Sequence, residues 1–398
     1  MKLAFIVQRY GLDVCGGAEL HCRVLAEHLA KYFEVEVLTT CAKDHATWKN
    51  EYKEGTEKIN GIAVHRFKSD KERDMNEFGE LSGKIFNKSH GLSEELDWMK
   101  LQGPYCPGLI QYINNNKDSY DYFIFFTYLY FLTYFGIRIA PEKSLFIPIA
   151  ASDDLPIRLE LFNDVFNLPK AIIYSTVEEK ESINKRFNNS SIPSITIGVG
   201  VDIPKDIKSN RFRKRFGIDK EFILYIGRIE EGKGCQELFD HFIRYNNETK
   251  SNLKLVLMGK STMKIPEHKD IIPLGFISEN EGKFDVIDAC ALLIQPSPYE
   301  CLSLVLLEAF SMKKPVLVNG KCKALKFHCL NSNAGLYYEN YDEFKEALDL
   351  LLSDKNLRRK MGLNGKKYFN ANYTWDAVEK AYLNFFKRLN NERSEASI

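Results

Sequence analysis

Along this chain, short apolar runs alternate with stretches in which apolar residues recur every three or four positions. Residues 2–8 form an apolar run bounded by Gly11 and the pair Gly16-Gly17. From 18 to 32, Leu20, Val24, Leu25 and Leu29 keep helical spacing, and residues 35–39 return to a strand pattern. Strand, Gly-rich turn, helix and strand make one βαβ unit. Further strands are predicted at 62–67, 122–126, 145–149, 171–175 and 195–197. Residues 71–117 are polar and carry Gly, Asn and Ser, so they read as an insertion rather than core.

A second α/β series starts near 221. It predicts strands at 222–226, 253–258, 271–274, 291–295 and 315–318, and helices at 235–245, 279–288, 302–312, 341–352 and 375–389. Between the two series lies Gly198-Val199-Gly200-Val201-Asp202-Ile203-Pro204, where Gly and Pro interrupt the pattern. Strands alternating with helices in both halves predict two doubly wound domains, with ligands at the carboxyl ends of the strands.

The length of 398 residues agrees with two cores. With 55 Lys and Arg against 54 Asp and Glu, the net charge is +1, which gives no global reason to expect a nucleic-acid partner. The nine Cys are odd in number and scattered without a C-x-x-C, which argues against a disulfide framework or a zinc site and for reduced thiols in the cytoplasm. The longest apolar run, 123–137, carries Thr127, Tyr128, Tyr130, Thr133 and Tyr134 and falls short of the roughly 20 residues of a membrane span. It reads as a strand followed by a helix.

Three groups of residues have chemical potential. Gly16-Gly17 opens the first helix, where a missing Cβ lets an anion approach backbone amides, although a plain tight turn explains the pair equally well. The full G-x-G-x-x-G fingerprint is absent, which argues against an NAD oxidoreductase. Gly227-Arg228 and Lys233-Gly234 put two cations on a Gly-rich strand-to-helix loop, a pattern suited to phosphate unless Glu230 and Glu231 neutralise it. Glu300 and Glu308, eight positions apart, span a loop and the following helix after Pro296 and Pro298. Their neighbourhood lacks the extra carboxylates or His that a metal site needs.

Taken in order, Gly16-Gly17-Ala18-Glu19, Gly198 to Asp202, Gly227-Arg228 with Lys233-Gly234, Leu257-Met258-Gly259, Leu274-Gly275-Phe276, Glu300 with Glu308, and Tyr373-Thr374-Trp375 resemble glycosyltransferase family 4. The resemblance covers most of the chain and is strongest from 198 to 383. It implies the GT-B fold: two Rossmann-like doubly wound domains facing an interdomain cleft. The expected boundaries are 1–200 for an acceptor-side domain and 201–374 for a nucleotide-sugar domain. A helix over 375–390 would pack back on the first domain, and 391–398 would fray.

The same resemblance implies a retaining transfer of a hexose-type sugar from a nucleotide diphosphate sugar to a glycan or lipid-linked saccharide acceptor. It implies neither cofactor nor metal, and points to bacterial surface polysaccharide assembly. Arg228 and Lys233 would hold the diphosphate and stabilise the leaving group, and Glu300 would bind donor sugar hydroxyls. Glu308 would accept from the ribose. The amides of Cys301, Leu302, Ser303 and Leu304 would support sugar and phosphate, those of Gly16 and Gly17 would approach the diphosphate, and Phe276 and Ile277 would lie near the base.

Two departures stand out. Cys301-Leu302-Ser303 replaces the Gly-Phe-Gly of many relatives, which leaves donor choice open. Ala150-Ala151-Ser152-Asp153-Asp154 lacks the His that relatives place near the donor sugar, and Ser152 or Asp153 is the candidate substitute. An inactive donor-binding GT-B subunit and a GT-B nucleotide-sugar epimerase remain alternatives. Basic and aromatic residues at 84–88 and 211–216 leave room for peripheral contact with the inner membrane face.

Overall fold

In the first half, apolar runs become parallel strands because each is covered on both faces by helices. The computed structural model describes residues 1–395 except Cys15, Ser152, Asp153 and Ser278, with the backbone alone from 392. Two compact units result, one made of Met1–Val199 with Glu379–Ile398, the other of Gly200–Val378.

Unit 1 begins with β1 (Lys2–Ile6), α1 (Gly17–Leu29), β2 (Glu34–Thr40), β3 (Gly55–Ile59) and β4 (Ile62–Phe67). Three helices follow: α2 (Met75–Asn87), α3 (Leu92–Gln102) and α4 (Pro107–Asn116). Then come β5 (Tyr122–Phe126), α5 (Phe131–Gly136), β6 (Ser144–Ile147), α6 (Phe162–Val165), β7 (Ala171–Tyr174), α7 (Val177–Phe187) and β8 (Ser194–Thr196). The eight-stranded sheet has the order β3-β4-β2-β1-β5-β6-β7-β8, and only the β3–β4 edge pair is antiparallel.

The reading of 71–117 as a polar insertion is corrected here. Asp74 caps α2 by accepting from the amides of Asn76 and Glu77, and Ile85, Trp98, Met99, Cys106, Leu109 and Ile113 are buried in the main core. The segment looks polar because its helices are one-sided, and the solvent faces dominate its composition.

Unit 2 runs α8 (Ser209–Phe216), β9 (Phe222–Ile226), α9 (Cys235–Thr249), β10 (Lys254–Met258), β11 (Ile271–Gly275), α10 (Asn280–Ala289), β12 (Leu292–Gln295), α11 (Leu304–Ser311), β13 (Val316–Asn319), α12 (Lys323–Ser332), β14 (Gly335–Tyr338), α13 (Tyr341–Ser353) and α14 (Lys355–Asn372). Its six strands are all parallel, in the order β11-β10-β9-β12-β13-β14. The strand order reverses between β9 and β12, where open α/β sheets place ligands.

The last helix, α15 (Trp375–Glu395), belongs to unit 1 from Glu379 onward. Tyr382, Phe385, Phe386 and Leu389 are buried, with Phe386 against Phe33 at 5.0 Å between ring centroids. Within the stretch 391–398 expected to fray, α15 runs to Glu395, and 396–398 lie outside the described residues. No helix among the described residues is long and apolar enough to cross a membrane.

Candidate functional site

In unit 2 the loops leaving β9, β10 and β11 are stitched together by backbone bonds. The amide of Gly227 donates to Met258 at 3.0 Å, that of Gly259 to Gly275 at 2.9 Å and that of Ile229 to Lys260 at 2.9 Å. Gly259 has φ +150°, and a Cβ there would run into the Gly227 carbonyl oxygen. The Tyr225 hydroxyl donates to the Arg228 carbonyl at 2.6 Å, so the Arg228 backbone is fixed from beneath. A 3-10 turn over Glu231–Lys233 then leads to Gly234, which takes φ +70° and starts α9. A side chain at Gly234 would press on the Pro296 carbonyl oxygen, so glycine lets this loop close on the loop after β12.

That second loop carries the acid pair. Asn319 donates to the Pro296 carbonyl at 2.9 Å and Ser297 Oγ to the Tyr299 carbonyl at 2.9 Å. Glu300 receives Lys233 Nζ at 2.7 Å, which joins the two loops through a half-buried ion pair. Glu308, on α11, is buried and takes Lys283 Nζ of α10 at 2.5 Å on one oxygen. Its other oxygen, Oε2, is buried with no hydrogen-bond partner among the described residues. A buried carboxylate oxygen without a donor is costly, so a ligand hydroxyl has a ready acceptor there.

The pairing differs from a proton-sharing dyad, because each acid has its own Lys rather than the other acid. Arg228 is more open than Lys233 or Lys283: its side chain is 58% exposed and touches Glu230 at 3.1 Å. The neutralisation that Glu230 offered in sequence therefore reaches Arg228, whereas Lys233 turns to Glu300. Phe276 is exposed, with Lys260 Nζ 5.5 Å from its ring centroid, and Ile277 beside it is half-buried. Cys301 is partly exposed, whereas Leu302 and Ser303 are buried and Leu304 opens α11.

Gly16 and Gly17 stand after β1 in unit 1. A Cβ at Gly16 would strike the Glu19 carboxylate, whereas one at Gly17 would meet nothing. Glu19 is buried and accepts from Gln8 Nε2 at 2.9 Å and Arg9 Nε at 2.9 Å, so the acid of this turn is occupied by its own scaffold. Ser152 and Asp153 lie outside the described residues. Next to them, Asp154 accepts the Tyr128 hydroxyl at 2.5 Å, and burial raises its carboxyl above the ordinary range.

Sequence reasoning missed two residues that shape these loops. Lys283 supplies the charge beside Glu308; its place in the first turns of the helix before β12 was the available signal. Glu179 accepts from the amides of Ala150 at 2.7 Å and Ser175 at 2.6 Å and so ties the loop after β6 to α7, a role that no local pattern announces. Among the described residues no group of three or more His, Cys, Asp or Glu could hold a metal ion.

Two doubly wound units with these loops at the strand ends define the GT-B fold, and solved structures share it over nearly the whole chain. Sucrose-phosphate synthase from Thermosynechococcus elongatus superposes with TM-score 0.73 at 15% identity, covering 98% of this chain and 99% of that one. HepE of Anabaena, solved in complex with UDP-glucose, gives 0.69 at 14% identity over 98% and 100%. Residues 206–368 match the family model described as glycosyl transferases group 1. An uncharacterized glycosyltransferase of Methanocaldococcus jannaschii is 25% identical over 97% of this chain and 98% of its own.

Proposed function

We propose that this protein is a retaining glycosyltransferase of family 4 that moves a hexose-type sugar from a nucleotide diphosphate sugar to a glycan or lipid-linked acceptor without a metal ion. The observation that carries this reading is the acid pair. Glu300 and Glu308 are each charge-matched by a separate Lys, and Glu308 keeps one buried oxygen without a partner among the described residues.

In this reading Glu308 Oε2 accepts from ribose hydroxyls and Glu300 from hydroxyls of the donor sugar. Arg228 and Lys233 face the diphosphate, and the helix N-terminus of α11 adds amides and its dipole. The bond between the anomeric carbon and the phosphate oxygen breaks as the acceptor oxygen bonds to the same face of that carbon. The acceptor proton passes to the departing phosphate oxygen, so no protein base is needed. Negative charge grows on that phosphate, and two fixed cations stabilise it most when it is largest. Phe276, an exposed ring beside Lys260, would lie against the base, and the Gly16 and Gly17 amides would approach the diphosphate. Ser152 or Asp153 would take the donor-sugar position on the unit 1 side. Surface polysaccharide assembly at the inner membrane face is the pathway and place in which such an enzyme would work.

The test is a thermal-shift screen with uridine, guanosine and adenosine diphosphates and their sugars, followed by measurement of nucleotide release with and without saccharide acceptors. Expected are a shift with one base series and release that depends on acceptor. Binding without acceptor-dependent release across a broad acceptor panel would overturn the transferase reading in favour of a donor-binding subunit. A new sugar nucleotide formed without acceptor would overturn it in favour of an epimerase.

A further inference from the structure

Ser303 stands at the N-cap of α11 but does not cap it. Ser at an N-cap ordinarily sits in extended backbone and accepts from an amide two or three residues on. Here Ser303 has φ +61° and ψ +85°, and its side chain makes no capping bond. The left-handed region is unfavourable for a residue with a Cβ and free for glycine. The residue is 8% exposed, and its Oγ is buried with no hydrogen-bond partner among the described residues. Strained backbone and an unsatisfied hydroxyl thus coincide at one residue, each unfavourable by itself.

The surroundings say what the hydroxyl can meet. The amides of Leu304 and Val305 precede the first intrahelical acceptor, so the helix offers donors at this end. Three residues earlier Glu300 holds Lys233. Five residues later Glu308 Oε2 is a second buried side-chain oxygen without a partner among the described residues. A hydroxyl beside the amide donors of a helix N-terminus serves an anionic oxygen best, since it adds a second kind of donor to one charge.

We infer that the Ser303 hydroxyl donates directly to a phosphate oxygen of the bound nucleotide diphosphate, and that the left-handed backbone is kept to aim it. This rests on the reading of the site as a nucleotide-sugar pocket.

The test uses the full chain, with Ser303→Ala and Ser303→Gly. The probes are uridine, guanosine and adenosine diphosphates and the matching nucleosides. Loss of a hydrogen bond to a charged group should weaken diphosphate binding roughly 10- to 100-fold in both variants. Affinity for the phosphate-free nucleoside should stay unchanged. Ser303→Gly should melt no lower than wild type, since glycine adopts this backbone without strain. Wild-type diphosphate affinity in both variants would overturn the inference and leave the proposed function standing. An equal loss for nucleoside and diphosphate would also overturn it, because that marks collapse of the whole pocket. If wild type bound no nucleoside diphosphate, the inference and the proposed function would fall together.

Discussion

The two units each carry an acid just beyond a strand-to-helix turn, and the two acids differ in what they have left to give. In unit 1, the Oε1 oxygen of Glu19 receives Gln8 and Arg9, and Gly16 packs against the carboxylate. In unit 2, Glu308 is equally buried, and it takes one Lys on Oε1 while Oε2 is buried without a partner among the described residues. Burial and a cationic partner are common to both. The donors separate them: Glu19 gathers two neighbours of its own strand end on one oxygen and so holds a turn together, whereas Glu308 takes a single Lys from the adjacent helix and keeps a buried oxygen without a partner among the described residues.

Substitutions should break that comparison along two different axes. The largest effect is expected at Glu19→Ala, which removes the carboxylate paired with buried Arg9 and should cost about 3–5 kcal/mol of stability. Urea unfolding measures it, and an unchanged midpoint would show that Glu19 is no scaffold acid. Next comes Lys233→Ala, expected to cut turnover roughly 10²- to 10³-fold, as for loss of one donor to a developing charge, with the unfolding midpoint nearly unmoved. Glu308→Gln keeps the volume but loses the charge. It should weaken nucleoside diphosphate binding roughly tenfold or more, and calorimetric titration reads it.

The smallest expected effect concerns Glu379 of α15, whose carboxylate takes Lys31 and Tyr32 at 2.7 Å each and His28 at 2.6 Å. Burial pushes its carboxyl up, but the bonds from Lys31, Tyr32 and His28 outweigh burial and hold it down to about 2, against 4.5 for an ordinary Glu. A depressed carboxylate contributes stability above its unfolded value, and that contribution disappears as pH falls from 4.5 toward 2. Glu379→Gln should flatten the pH dependence of the unfolding midpoint in that window. An unchanged slope would show that the ion cluster contributes nothing.

The parallel sheets were legible because a strand buried on both faces is a continuous apolar run, as at Tyr122–Phe126, where all five residues are buried. Two of the four edge strands, β3 and β14, and the one-sided helices were not. β3 is nearly all exposed and polar, and in β14 only Tyr338 of the four residues is buried. In α2 to α4, few buried residues are spread among many solvated ones. At the site, residue types were readable but their partners were not. Nothing local joins Lys233 to Glu300 across 67 positions or Lys283 to Glu308 across 25. The backbone angle of Ser303 is set by how α11 meets its loop, which residue identity alone does not reveal.

The final helix has a consequence for the order in which the protein is made. Unit 2 is one uninterrupted stretch, Gly200–Val378, whereas unit 1 recruits residues from Glu379 onward to cover Phe33 and Tyr122. On the ribosome, which delivers the chain from its N-terminus, the first unit to be synthesised is the last to be finished. Until Phe386 emerges, Phe33 after α1 and Tyr122 at the start of β5 lack the ring that covers them, while the later-made unit already has every residue it needs.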